Sequence, residues 1–337
     1  MLSAFIAGLA GTELSLREAA LLRQARPCGV ILFARNVENP AQVRRLTDAV
    51  RAAIAADDIL VLIDQEGGRV QRLKPPHWRA LPPAAAYGRI YRDDPEAALR
   101  AARLAARLTA ADLAALGINT DCAPVLDVPV AGSHDIIGDR AYGADPAQVA
   151  ALGRAVAEGF LAGGVLPVIK HIPGHGRATK DSHHDLPAVT ASRAELEATD
   201  FAAFRALAGM PAAMTAHVVF TAIDAEAPAS TSARVTAEII RGAIGFDGLL
   251  MSDDLGMRAL TGSIAERAGA VLAAGSDLAL LCSGDAAETE IVAAVVPPLQ
   301  GPALARFARA CAVFRQQAAF DVAEAEACLA QLLPASA

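Results

Sequence analysis

Eight short apolar runs, separated by longer stretches patterned for helix, constrain this 337-residue chain more than any other feature. The runs cover residues 4–10, 29–33, 59–63, 118–125, 166–170, 212–219, 248–252 and 277–281. Helical patterns rich in Ala, Leu and Arg fall between most of them, at 15–25, 40–55, 95–116, 146–162, 193–208, 237–244 and 263–274. Strict alternation of strand and helix is the pattern of a parallel sheet covered by helices. Eight such units in a chain of this length predict an α/β protein of the (β/α)8 TIM-barrel class. A doubly wound open sheet is the alternative arrangement. Polar residues decide between them. Asp64, Asp127, Lys170, His171, His217, Asp253 and Asp254 all lie at or just after the ends of apolar runs. A barrel gathers the C-terminal ends of different strands around one mouth. Neither a Gly/Ser linker nor an internal repeat interrupts the sequence, so residues 1–337 are expected to form one domain, closed by helices at about 303–333.

Composition narrows the function classes. The chain is 54% apolar and 20% charged, which is a folded protein rather than a disordered one. Its net charge of −7, without any basic block, argues against nucleic acid and anionic membrane as partners. The five cysteines are odd in number, scattered and free of a CxxC pair, so neither a disulfide framework nor a zinc ribbon is expected. The start, MLSAFIAGLAG, lacks a basic leader and reads as a first strand. No run approaches the roughly 18 apolar residues of a spanning helix. A cytoplasmic enzyme is the expectation.

The densest chemistry lies in KHIPGHG, from Lys170 to Gly176, followed by Asp181-Ser182-His183. Only three lysines occur in the chain, at 74, 170 and 180, and two of them fall in this stretch. Pro173 and Gly174 forbid a regular helix, so these side chains sit on a loop leaving a strand. His171 and His175 are four apart, which on a helix would suggest a metal pair, but the loop removes that geometry. Asp181 and His183 are two apart. In extended chain they point to one side, where a carboxylate orients an imidazole and favours its cation. That pair could supply a general acid. The loop 173–187, Gly-containing and polar from 174 to 185, is expected to close over a bound substrate.

Three further segments carry polar groups. DQEGGRVQR, residues 64–72, follows the third run, and its paired glycines let the backbone turn sharply. Asp64 and Arg72 could meet a hydroxylated ligand there, or simply pair with each other. Arg140, within IIGDRAYG, could present its planar fork to a substrate oxygen or pair with Asp139 to hold a long loop. Asp253 and Asp254 end the seventh run. Adjacent carboxylates cannot both face the barrel from a regular strand. One is a candidate nucleophile, and the other is expected to cap a helix or pair with Arg. Apart from these, no second Asp or Glu stands out as an acid.

Taken together, VILFARN (30–36), DQEGGRVQR, KHIPGHG with DSH, and SDDLGM (252–257) resemble the bacterial β-N-acetylglucosaminidases of glycoside hydrolase family 3, in their compact Gram-negative form. The family's usual aromatic between His and Pro is Ile172 here. The resemblance covers the chain from Val30 to about Ser283. It implies a TIM barrel that removes terminal β-linked N-acetylglucosamine with retention of configuration. It implies Asp253 as nucleophile, His183 as general acid/base and Asp181 as its partner. It also implies that Asp64, Arg72, Arg140, Lys170 and His171 bind the sugar. The substrate implied is a small muropeptide, N-acetylglucosamine linked to 1,6-anhydro-N-acetylmuramic acid, in peptidoglycan recycling. No cofactor or metal is expected, and the protein is expected to act as a monomer. Three alternatives stay open. One is a relative acting on another β-glycoside such as a glucoside. The second is a metal-dependent hydrolase using His171, His175, His183 and Asp253. The third is a silent sugar-binding barrel.

Overall fold

The computed structural model describes residues 1–56, 58–179, 181–182 and 186–333. Eight parallel strands close into a barrel in sequence order: β1 (Ser3–Gly8), β2 (Pro27–Leu32), β3 (Leu60–Ile63), β4 (Thr120–Asp121), β5 (Leu166–Ile172), β6 (Ala212–Thr215), β7 (Leu249–Asp254) and β8 (Leu278–Leu281). β8 pairs back onto β1, with Ile6 opposite Leu280. The eight apolar runs therefore supply the eight strands, and the open sheet is set aside.

Helices follow the strands on the outside. Those that position the site are α1 (Leu16–Ala25), α2 (Pro40–Ile54), α3 (Ala84–Asp93), α4 (Pro95–Ala115), α5 (Pro146–Ala162), α6 (Arg193–Ala198) and α7 (Asp200–Ala206). Later come α8 (Ile264–Ala273), α9 (Ala286–Val295), α10 (Gly301–Cys311) and α11 (Val322–Leu332), with a π-helical segment, Val235–Ala243, before β7. Their starts follow capping chemistry. Ser15 and Ser263 close capping boxes with Glu18 and Glu266. Asn39, Asp94 and Asp145 each cap a helix whose next residue is proline. None of the described helices is long and apolar enough to cross a membrane.

The barrel's interior is a layer of inward side chains that includes Ile6, Cys28, Leu62, Val168, Met214 and Met251. Phe307, Cys311 and Val313, from α10 and the turn after it, join the same cluster from below and plug the N-terminal end. A second, larger cluster fills the space between strands and helices.

The runs at 118–125 and 212–219 form barrel strands only in part, and one expected helix is broken. β4 stops at Asp121 because Pro124 has no N–H to give the ladder. The chain still tracks β5, through Val168 N–H to Ala123 O and Leu126 N–H to Lys170 O, and so delivers Asp127 to the mouth. The pattern at 193–208 predicts one helix, but it breaks at Thr199 into α6 and α7. The break presents Thr199 and Asp200 to Arg177, whose Nε lies 2.6 Å from Asp200 Oδ2 and whose Nη2 lies 2.9 Å from Thr199 Oγ1. A tertiary ion pair anchoring the loop after β5 has overridden local helix propensity.

Candidate active site

A cavity of about 330 Å³ opens at the C-terminal ends of the strands. This lies within the range of small-ligand sites. Its walls come from the loops after β2, β3, β4, β5, β7 and β8.

One wall is an ion-paired cage. Asp64 leaves the end of β3, and residues Gln65–Gly67 fold back on Val70–Gln71 as a two-stranded ribbon. Gly67 at φ 100° and Gly68 at φ 57° make that turn, and a Cβ on Gly67 would meet the Pro82 carbonyl at 2.4 Å. Gln65 holds the ribbon: its side-chain oxygen accepts from the N–H groups of Arg72 and Leu73, and its amide donates to Leu73 O. Asp64 and Glu66, two apart, are thereby turned to one side. Lys170 Nζ, from β5, sits 2.9 Å from Asp64 Oδ1 and 2.6 Å from Glu66 Oε1. Arg72 reaches Asp64 Oδ2 at 3.0 Å. Arg140 grips Glu66 with a two-pronged contact, 2.8 Å at both Nε and Nη2.

Burial alone would raise the carboxyls of Asp64 and Glu66. The cations outweigh it, with Lys170 the strongest in each case, and hold both below their usual range. Lys170 is itself held above its usual value by these two anions despite its burial. Arg140 therefore does not pair with Asp139 as the loop sequence allowed. Arg69 takes that partner, Nε to Asp139 Oδ1 at 2.8 Å, and gathers the carbonyls of Asp135 and Ile136 with Nη2. The two segments DQEGGRVQR and IIGDRAYG thus brace each other.

The imidazoles have structural partners of their own. His171 Nδ1 lies 2.6 Å from Asp127 Oδ2, and Asp127 also accepts from the N–H groups of His171 and His175. This fixes the ring and turns Nε2 away from Asp127. His175 Nε2 lies 3.1 Å from Ser182 Oγ, while its buried Nδ1 has no partner. Burial, with His171 beside it at 5.7 Å between ring centres, pushes His175 down to about 4, so it is neutral at neutral pH. His217 Nε2 donates to the Asp254 carbonyl at 3.0 Å, so Nδ1 accepts from Ser230 at 2.6 Å.

The two carboxylates at the end of β7 are different in kind. Among the described residues, Asp253 Oδ1 accepts from the neighbouring Asp254 N–H alone, at 2.8 Å. Burial opposes its charge, but His217, His171, that N–H and Lys170 hold it below its ordinary value. It is an ionised carboxylate on the cavity wall. Asp254 Oδ1 accepts from Gly256 N–H at 3.1 Å and from Cys282 N–H at 2.9 Å, tying the ends of β7 and β8 together. Burial raises its carboxyl. The expectation that the second Asp caps a helix or pairs with Arg is corrected: it binds backbone, because β8 presents an unpaired N–H beside it.

Asp64, Arg72, Arg140, Lys170, His171 and Asp253 therefore meet at one cavity. Ser182, next to Asp181, also reaches it. His183 lies outside the described residues. Sequence reasoning overlooked Glu66, whose signal was its i, i+2 spacing from Asp64. It located Asp127 and His217 at strand ends but gave them no role.

Fold and site together define a barrel whose mouth holds a polar cavity lined by an ion-paired cage and by the ionised carboxylate of Asp253. Residues 6–309 match the glycosyl hydrolase family 3 N-terminal domain. A beta-hexosaminidase of Alkalilimnicola ehrlichii is 41% identical over 306 residues, 90% of this chain and 86% of that one. A beta-hexosaminidase of Bordetella avium is 40% identical over 279 residues, 82% and 79% of the two chains. Among solved structures, NagZ from Neisseria gonorrhoeae in complex with N-trifluoroacetyl-D-glucosamine superimposes with a TM-score of 0.87 at 34% identity, covering 98% of each chain. The family 3 beta-N-acetylglucosaminidase of Paenibacillus sp. gives 0.85 at 32%, and this chain spans 66% of that longer protein. The chain belongs to glycoside hydrolase family 3, and it is a glycoside hydrolase.

Proposed function

We propose that the protein is a retaining β-N-acetylhexosaminidase that releases terminal N-acetylglucosamine from small muropeptides during peptidoglycan recycling. It acts as a single-domain cytoplasmic monomer without a cofactor. The observation that carries the reading is Asp253, ionised on the cavity wall and faced by the Asp64–Lys170–Glu66–Arg140 cage. Support for the sugar comes from the relatives. Proteins about 40% identical over most of this chain are beta-hexosaminidases, and the Neisseria structure holds an N-acylated glucosamine.

In this mechanism Asp253 attacks the anomeric carbon and forms a glycosyl ester as the aglycone leaves. Arg72, Arg140, Lys170 and Asp64 hold ring hydroxyls, with His171 beside them, so that binding becomes orientation. The leaving oxygen needs a proton, and the described carboxyls on the cavity are poorly suited to give it. Asp64 and Glu66 are held ionised by their cations, and Asp254 is engaged by two backbone N–H groups. Asp64 and Glu66, already deprotonated, have no proton to donate, and Asp254 Oδ1 is committed to bracing the ends of β7 and β8. This favours His183, oriented by Asp181, as the acid, and as the base that deprotonates water in the second step.

The test is release of aryl alcohol from an aryl β-N-acetylglucosaminide against an aryl β-glucoside. Turnover of the first alone is expected. Turnover of the glucoside moves the enzyme elsewhere in the family, and turnover of neither removes the reading. His183→Ala should slow substrates with poor leaving groups far more than activated aryl glycosides. Equal losses take His183 out of the acid role.

A further inference from the structure

We propose that Glu66 is a positioning residue that sets Arg140 and Lys170 against the sugar and makes no contact with it. The inference rests on the reading of those two cations as sugar contacts. Its warrant is an account of donors and acceptors. Glu66 Oε1 accepts from Arg140 Nη2 and Oε2 from Arg140 Nε, both at 2.8 Å, and the Lys170 ammonium lies against Oε1 as an ion pair at 2.6 Å. A carboxylate has about four acceptor sites; two of them accept from Arg140, and the Lys170 ammonium covers Oε1 from another side. The cations are the reverse. Lys170 donates one of its three N–H groups to Asp64 and balances Glu66 through charge. Arg140 spends three of five, two on Glu66 and one on Ile136 O at 3.2 Å. Each cation keeps N–H groups for a ligand, whereas the anion between them is almost saturated.

Arg140 needs such a fastening. It sits in a short 3-10 turn, Gly138–Arg140, within the long stretch between β4 and α5. A long side chain on such a segment pays rotamer and backbone entropy each time it orders. The two-pronged contact to Glu66, whose side chain is only 7% exposed, fixes both the plane and the position of the guanidinium before substrate arrives. Lys170 comes from β5, the strand beside β4, so one carboxylate sets the distance between two donors from different elements.

Glu66→Gln keeps the shape but replaces one acceptor oxygen by an amide that repels both cations. We expect kcat/KM on an aryl β-N-acetylglucosaminide to fall by about 100-fold, the cost of misplacing a contact by about an ångström. Binding of N-acetylglucosamine, followed by calorimetry, should weaken in parallel. The loss should not multiply with that of Arg140→Ala: the double variant should match Arg140→Ala within about threefold, as coupled residues do. A residue that only stabilised the fold would lower the melting temperature and give multiplying losses. Glu66→Gln within twofold of wild type, or multiplying losses, overturns the proposal. Should Glu66→Gln not fold, Glu66→Asp keeps the charge but shortens the reach, and the same coupling at smaller size is expected. If wild type binds N-acetylglucosamine but does not turn over the aryl glycoside, the proposed function falls and the binding coupling still tests Glu66. If it neither binds nor turns over, both fall.

Discussion

Both ends of the barrel carry clusters of arginine and aspartate, and they are finished differently. At the N-terminal end Asp277 accepts from Arg241 and Arg306 and from the Leu250 N–H, while Asp247 accepts from Arg306 and Arg309. Both oxygens of Asp277 are spent, and Phe307 and Val313 lie behind the cluster as a plug. At the mouth the cage of Asp64, Glu66, Arg72, Arg140 and Lys170 is as tightly paired, yet it lines a cavity in which Asp253 keeps an oxygen that accepts from no described group. Arginines at both ends leave N–H groups over, so spare donors do not separate the two clusters. What distinguishes the mouth is the cavity and the acceptor that Asp253 leaves over in it, not the number of its charges.

That contrast gives a graded set of tests. The largest effect belongs to Asp253→Ala, expected to cut kcat by at least about 10⁴-fold, the scale of losing a nucleophile. Its melting temperature should move little, because Asp253 pairs with no cation among the described residues. Next is Lys170→Met, which leaves Asp64 and Glu66 buried with less compensation. We expect a loss of about 3–5 kcal/mol in chemical denaturation together with loss of turnover. Arg306→Ala, at the closed end, should cost about 1–3 kcal/mol while kcat per folded molecule stays within about twofold. Were its kcat to collapse with folding intact, the division between the ends would be wrong.

A subtler test uses pH. Asp121, at the end of β4, gives one oxygen to the Gln65 N–H, and its other buried oxygen has no partner. Burial, only partly offset by that N–H and Lys170, pushes its carboxyl up to about 8. A carboxyl raised on folding contributes stability that is complete below its unfolded value and is lost as pH rises through its folded value. Asp121→Asn keeps the acceptor without the charge. It should equal wild type near pH 4 and exceed it increasingly up to about pH 8, by a few degrees in melting temperature. An advantage that shrinks as pH rises would contradict the assignment. The smallest effect is Arg44→Ala: its exposed pair with Asp48 at 3.1 Å should be worth under about 0.5 kcal/mol.

The barrel was legible because each strand is a nearly unbroken apolar run, and because polar residues stood at their C-terminal ends. The departures have one local and one tertiary cause. β4 stops at Asp121, ahead of Pro124, and the helix at 193–208 breaks to meet Arg177. The sugar-binding side chains were legible as candidates through motif resemblance, but their partners were not. Glu66 reads as one more acidic residue on a loop until Lys170, 104 positions later, closes on it at 2.6 Å. Asp254 could not be separated from Asp253 by spacing, because the N–H of Cys282 that distinguishes them belongs to another strand end.

The most direct test of the central claim is to trap the glycosyl-enzyme with a fluorinated N-acetylglucosaminyl fluoride and map the adduct by fragmentation mass spectrometry. The expected result is one sugar on Asp253, and no labelling of Asp253→Ala. An adduct on Asp254, Glu66 or Asp64, or inactivation without any adduct, would contradict the assignment of Asp253 as the nucleophile.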